Sequence, residues 1–202
     1  MHLPTKIIIL SLLTCLFVVN KGVAEDSNVD FVTNTVGQYN SPWAIEFLPD
    51  NRILLSEMKG SLKLLDSDGS LLGEVTGVPE VAFGGQGGLG DVVLHPDFIE
   101  NRTIYLSYAE EGPNKTFGAA VARGNLELTE TGGQLKDLEV IWRQVPKVKG
   151  RGHYGHRIVF GPDNYLWISS GERQKFDPAQ DMESNLGKIV RLYASGSSVE
   201  DN

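Results

Sequence analysis

"RIVFGPDNYLWISSG", residues 157–171, places two short apolar runs on either side of a Gly-Pro-Asp-Asn turn and ends in small residues. The same arrangement occurs in "AIEFLPDNRILLSE" (44–57) and, with an insertion after the turn, in "DVVLHPDFIENRTIYLSY" (91–108). Within 43–48 the side chains alternate, Trp43, Ile45 and Phe47 against Ala44, Glu46 and Leu48, and a period of two marks a strand with one buried face. Pro and Asp between the runs supply the fixed φ and the side-chain acceptor that a tight turn needs.

Working outward, strands also read at 61–66, 103–110, 118–127, 138–145, 156–160 and 165–171, while 177–188 carries a weak helical pattern with Asp at its start and Gly187 at its end. The three prolines, 49, 96 and 162, are 47 and 66 residues apart. Repeats of about 40–50 residues made of short antiparallel strands are the signature of propeller blades. On strand spacing alone a β-sandwich stays open as the alternative. The expected fold class is therefore all-β, a β-propeller, with about three blades supplied by this chain. Closed propellers have about four to eight blades. With "GKIVRLYASGSSVEDN" (187–202) reading as a connection cut short, the chain is expected to be the N-terminal part of a longer protein.

The first 24 residues combine Lys6, an apolar run from Ile7 to Val19 and small residues at Gly22 and Ala24, which reads as a secretory leader cleaved after Ala24. Such a run falls short of the roughly 20 residues a membrane span requires, so no transmembrane span is expected after cleavage. The expected organisation is a leader at 1–24 and one propeller domain at 25–202, in the periplasm or secreted. Cys15 leaves with the leader, so no disulfide holds the mature chain. Residues 25–202 hold 16 Lys and Arg against 26 Asp and Glu, a formal charge of −10. Without clustered cations, such a chain is not expected to bind nucleic acid.

One stretch asks for a functional explanation. "GGQGGLGDVVLHPDF" (84–98) surrounds Gln86 with four glycines, and glycine runs of this kind occur where the backbone adopts positive φ or comes very close to a neighbour. Taken in order, this stretch, "GHYGHRIVFGPDNYLWISSGE" (152–172) and "AQDMESNLGKIVRL" (179–192) resemble the soluble pyrroloquinoline quinone (PQQ)-dependent aldose sugar dehydrogenases of the glucose/sorbosone dehydrogenase family. The likeness runs from about Val36 to Asn202 and stops near the family's midpoint.

The resemblance implies a six-bladed propeller with PQQ in a polar cleft and an activating calcium whose ligands lie mostly beyond this chain. It implies oxidation of an aldose at the anomeric carbon to the lactone, with electrons passed to a respiratory or artificial acceptor. His153 matches the family's general base, and its imidazole suits proton transfer near neutral pH. Gln86 matches a cofactor and sugar contact, the glycines letting its loop lie against the planar cofactor. Arg157 also matches a family position, either on the cofactor or supporting the loop.

Several nearby residues read differently. His156, where the family usually has a small residue, is a rival base, and the pair in "HYGH" makes no metal site without further ligands at fitting spacing. His95 and Asp97 read as turn organisers, and Gln180 and Asp181 as cap residues. Other classes stay open at this point: a noncatalytic propeller that binds sugar or protein, and a calcium-dependent lactone hydrolase, for which the sequence shows no metal-binding carboxylate cluster.

Overall fold

A computed structural model of the chain describes residues 32–200, so the leader at 1–24 lies outside the described residues. Among the described residues eleven strands form three consecutive meanders. The first is β1 (Pro42–Phe47), β2 (Ile53–Glu57), β3 (Ser61–Leu65) and β4 (Leu71–Thr76). The second is β5 (Leu89–Leu94), β6 (Thr103–Gly112), β7 (Thr116–Thr129) and β8 (Gly132–Arg143). The third is β9 (Gly155–Phe160), β10 (Leu166–Ser170) and β11 (Lys188–Leu192). Neighbours within each meander pair antiparallel, and a short parallel contact of β4 with β8, Glu74 opposite Gly132, joins the outer edges of the first two.

These meanders are propeller blades. The first strand of each lies beside the first strand of the next, β1 on β5 and β5 on β9, and the apolar cores lie between blades. Alternation explains how. In β6, Ile104, Leu106 and Tyr108 face the core shared with the first blade, while Tyr105 faces the core shared with the third. The middle blade is thus buried on both faces and its strands read as nearly continuous apolar runs. Each buried leucine there contributes about 1.5–3 kcal/mol.

The Pro-Asp repeat has a common geometry. Leu48 N–H donates to Arg52 O at 2.8 Å and Asn51 N–H to Leu48 O at 2.9 Å; Gly161 and Tyr165, then Asn164 and Gly161, repeat this at 2.9 and 3.0 Å. In the second blade the turn is widened by the short helix α1 (Phe98–Asn101). There His95 Nδ1 accepts the Asp97 N–H at 3.0 Å, the turn-organising role expected of it.

A second repeated device joins the blades. Ser56 Oγ accepts the N–H of Ala44 and donates to Gly90 O at 2.6 Å in the next blade. Ser107 Oγ likewise accepts the N–H of Asp91 and donates to His156 O at 2.6 Å. These hydroxyls sit where the repeat ends in small residues, so their size and their two-way bonding have one cause: inner strands of adjacent blades pass within reach of each other.

Two expectations are corrected. Residues 177–188 form no α-helix; only a 3-10 turn at Asp177–Gln180 occurs, because Phe176 at its start has φ 59° and the chain turns extended at Asp181, whose carboxylate caps the Glu183 N–H. Second, 188–192 is not a connection but the strand β11, which pairs with β10 along its full length.

Candidate active site

Because each meander is antiparallel, the segments 77–88 and 144–154, which enter β5 and β9, emerge at one end of the blades. The β2–β3 turn and the β10–β11 connection emerge at that end too. Gln86 and His153 therefore meet, although 67 positions separate them: the His153 N–H donates to Gln86 Oε1 at 2.7 Å. The Gln86 N–H in turn donates to Arg151 O at 2.8 Å.

The glycines around Gln86 are explained by this packing. A Cβ on Gly85 would lie 2.5 Å from Arg151 O, one on Gly87 2.8 Å from the Tyr154 ring, and one on Gly88 2.0 Å from Met58 O. The close approach they permit is thus to the chain itself. They bring Gln86 against the His153 segment and the β2–β3 turn.

The His153 side chain is half exposed, and its Nδ1 pairs with the Glu172 carboxylate. Oε2 of Glu172 also accepts the N–H groups of Lys175 at 2.6 Å and Phe176 at 2.9 Å. The backbone donor at Phe176, followed by the bond from His153, pulls the Glu172 carboxyl down to about 2. An ionised carboxylate can only accept, so the Nδ1 of neutral His153 carries the proton and its lone pair is on Nε2.

His156 has the opposite character. It is 4% exposed, its ring stacked on Tyr154 with centroids 5.2 Å apart, and burial, then the nearby Arg173 charge, pushes its pKa down to about 4. Neither ring nitrogen has a hydrogen-bond partner among the described residues, so a neutral, packed ring replaces the rival base. The two histidines of "HYGH" do not share a ligand position. Among the described residues no group of three or more His, Cys, Asp or Glu side chains converges as a metal site.

Arg157 is not brought to Gln86 and His153. Its guanidinium pairs with the buried Asp91 at 2.9 Å and lies over the Trp43 ring at 5.0 Å. Asp91 also accepts the Ile158 N–H at 2.9 Å, so the group ties β9 to β5 along the inner strands.

Sequence reasoning assigned no role to Glu172 or Arg173. Their signal was present: two charged residues follow the small residues that close β10, at the strand end facing His153. His153, Arg173, Gln174 and Phe176 all have positive φ between 48° and 62°, uncommon outside glycine and concentrated here.

The donors at this end suit a planar, oxygen-rich polyanion such as PQQ. The Gln86 amide nitrogen has no partner among the described residues, His153 presents Nε2, and the exposed Lys59 and Lys175 belong to the two neighbouring segments.

Residues 39–202 match the family model described as Glucose / Sorbosone dehydrogenase, and the chain belongs to that family. It is 41% identical to aldose sugar dehydrogenase YliI of Escherichia coli K12 over 162 residues, covering 80% of this chain and 43% of that protein. With quinoprotein glucose dehydrogenase B of Acinetobacter calcoaceticus the identity is 27%, over 81% of this chain and 39% of that protein. The crystal structure of the soluble E. coli aldose sugar dehydrogenase in its apo-form superposes with a TM-score of 0.77 at 40% identity, covering 81% of this chain and 47% of that one. The PQQ-bound aldose sugar dehydrogenase of Streptomyces coelicolor gives 0.73 at 30% identity, covering 85% and 50%. The chain thus spans half or less of the length of these relatives. Among the described residues no helix is long and apolar enough to cross a membrane.

Proposed function

We propose that this chain carries the base and one quinone contact of a PQQ-dependent aldose dehydrogenase, oxidising the sugar at its anomeric carbon to the lactone. The observation behind this reading is the assembly of Gln86, His153 and Glu172 from three connections, with an ionised carboxylate on Nδ1 leaving Nε2 free at the open end. The family membership and the PQQ-bound relative support the cofactor.

When bound, PQQ supplies a two-electron acceptor for hydride. His153 Nε2 takes the proton of the anomeric hydroxyl as the C1–H bond breaks and the C1–O bond becomes a carbonyl, so two electrons and one proton leave with the hydride and one proton goes to the imidazole. Glu172 holds the ring by Nδ1–H and stabilises the imidazolium that forms. Gln86 ties its carbonyl oxygen to the His153 backbone and leaves its amide N–H groups for quinone or sugar oxygens. Half-exposed, His153 returns its proton to solvent. Arg157 has the supporting role, through Asp91. The leader would deliver the protein to the periplasm or medium, where a respiratory or artificial acceptor reoxidises the cofactor.

The test, made on the full-length protein expected to contain this chain, is dye-coupled oxidation of an aldose panel with PQQ and calcium added or withheld, for wild type and His153→Ala. PQQ-dependent turnover that falls at least 100-fold in the variant is expected, the range of a general base. A folded wild-type protein that neither binds PQQ nor turns over sugar would leave a noncatalytic binding propeller instead.

A further inference from the structure

Among the described residues Arg173 is the largest fully buried side chain, 1% exposed, and no carboxylate touches it. Buried cations are costly unless their donors are satisfied. Here carbonyls satisfy them: Nε donates to Gly152 O at 2.7 Å, Nη2 to Gly150 O at 2.6 Å and Nη1 to Phe117 O at 2.5 Å. The guanidinium carbon sits over the Tyr154 ring, 3.7 Å from its centre.

The clamp grips the His153 segment on the residue before the histidine and again two positions earlier. Gly171 N–H donates to Tyr154 O at 3.0 Å and Arg173 N–H to His153 O at 3.2 Å, so 171–173 runs alongside 153–154. With φ of 62° at Arg173, consecutive side chains part company: Glu172 rises to the imidazole while Arg173 descends beneath the same loop.

We propose that Arg173 is a positioning residue that sets the Glu172–His153 contact and, through it, the imidazole tautomer required for proton abstraction. The inference rests on the reading of His153 as the base, but the tautomer can be read without cofactor or substrate. Lysine keeps the charge, yet its single ammonium cannot span three carbonyls while sitting over a ring.

The experiment is imidazole 15N–1H correlation spectroscopy on the PQQ-free protein, with the His153 signals assigned by His153→Ala, followed by steady-state kinetics on PQQ-reconstituted protein. Wild type should show one tautomer, protonated at Nδ1. Arg173→Lys should show a mixture of tautomers and a kcat lower by about tenfold, with KM within about twofold. In a Glu172→Gln background, Arg173→Lys should add no further change to the tautomer ratio, since both act on one contact. Should Arg173→Lys not fold, Tyr154→Leu removes the face beneath the guanidinium together with the His156 stack, keeps Arg173 and its three carbonyl bonds, and should give the same tautomer mixing with about a threefold loss of kcat. A wild-type tautomer in a folded Arg173→Lys or Tyr154→Leu protein overturns the proposal, as does a rise in KM with kcat unchanged. Absent PQQ-dependent turnover in wild type would sink the dehydrogenase reading and leave the tautomer spectra to decide the role of Arg173.

Discussion

Replacing His156 by phenylalanine should flatten the acid limb of the protein's stability. The ring is 4% exposed, sandwiched by Tyr154 and edged by Trp43 at 5.9 Å, and its folded pKa is about 4 against an ordinary value of 6.5. A base whose folded pKa is depressed binds more protons unfolded, so stability is full above about pH 6.5 and is lost as pH falls towards 4. The whole gap corresponds to about 3 kcal/mol, and about 2 kcal/mol of it is gone by pH 5. Phenylalanine preserves the stack and cannot be protonated. Urea unfolding at pH 7.5 and pH 5 should therefore show wild type losing about 2 kcal/mol more than His156→Phe. Glu46 and Asp91, both raised mainly by burial, act with the opposite sign but are present in both proteins and cancel in the difference. Equal losses in the two proteins would refute the buried, neutral histidine.

Other outcomes follow from the same geometry. Glu172→Gln should lower kcat by about 10–100-fold in the dye-coupled assay while PQQ affinity changes little, because the amide no longer fixes the imidazole as a pure acceptor would. Gly88→Ala places a Cβ 2.0 Å from Met58 O at φ 154°, and urea titration should show a loss of about 1–3 kcal/mol together with weaker PQQ binding as the Gln86 loop shifts. Arg157→Met should cost about 1 kcal/mol by leaving Asp91 one partner short, with PQQ affinity within about threefold; a tenfold weaker PQQ affinity at unchanged stability would make Arg157 a cofactor ligand instead.

Much of the architecture was legible because it is local. Alternation fixes which side of a strand is buried, Pro-Asp fixes where the chain reverses, and three copies of that unit imply blades. The helix expected at 177–188 failed for a local reason that the pattern does not carry: Phe176, its N–H held by Glu172, enters at φ 59°, and the chain turns extended at Asp181 after one 3-10 turn. The role of the glycines was also out of reach, since Arg151, Met58 and Tyr154, the atoms they make room for, come from other segments.

By itself the sequence determined the repeat, the strand faces and the two residues Gln86 and His153 that its family likeness singles out. What only the tertiary structure decided was the partner of the histidine. A bulge between Ile168 and Ser170 sets Gly155 against Ser170, and beyond that pair both segments leave strand geometry while Gly171 N–H still donates to Tyr154 O and Arg173 N–H to His153 O. Positive φ at His153 (48°) and Arg173 (62°), which strand alternation in the sequence does not foretell, then sends Glu172 to the imidazole and Arg173 beneath the same loop.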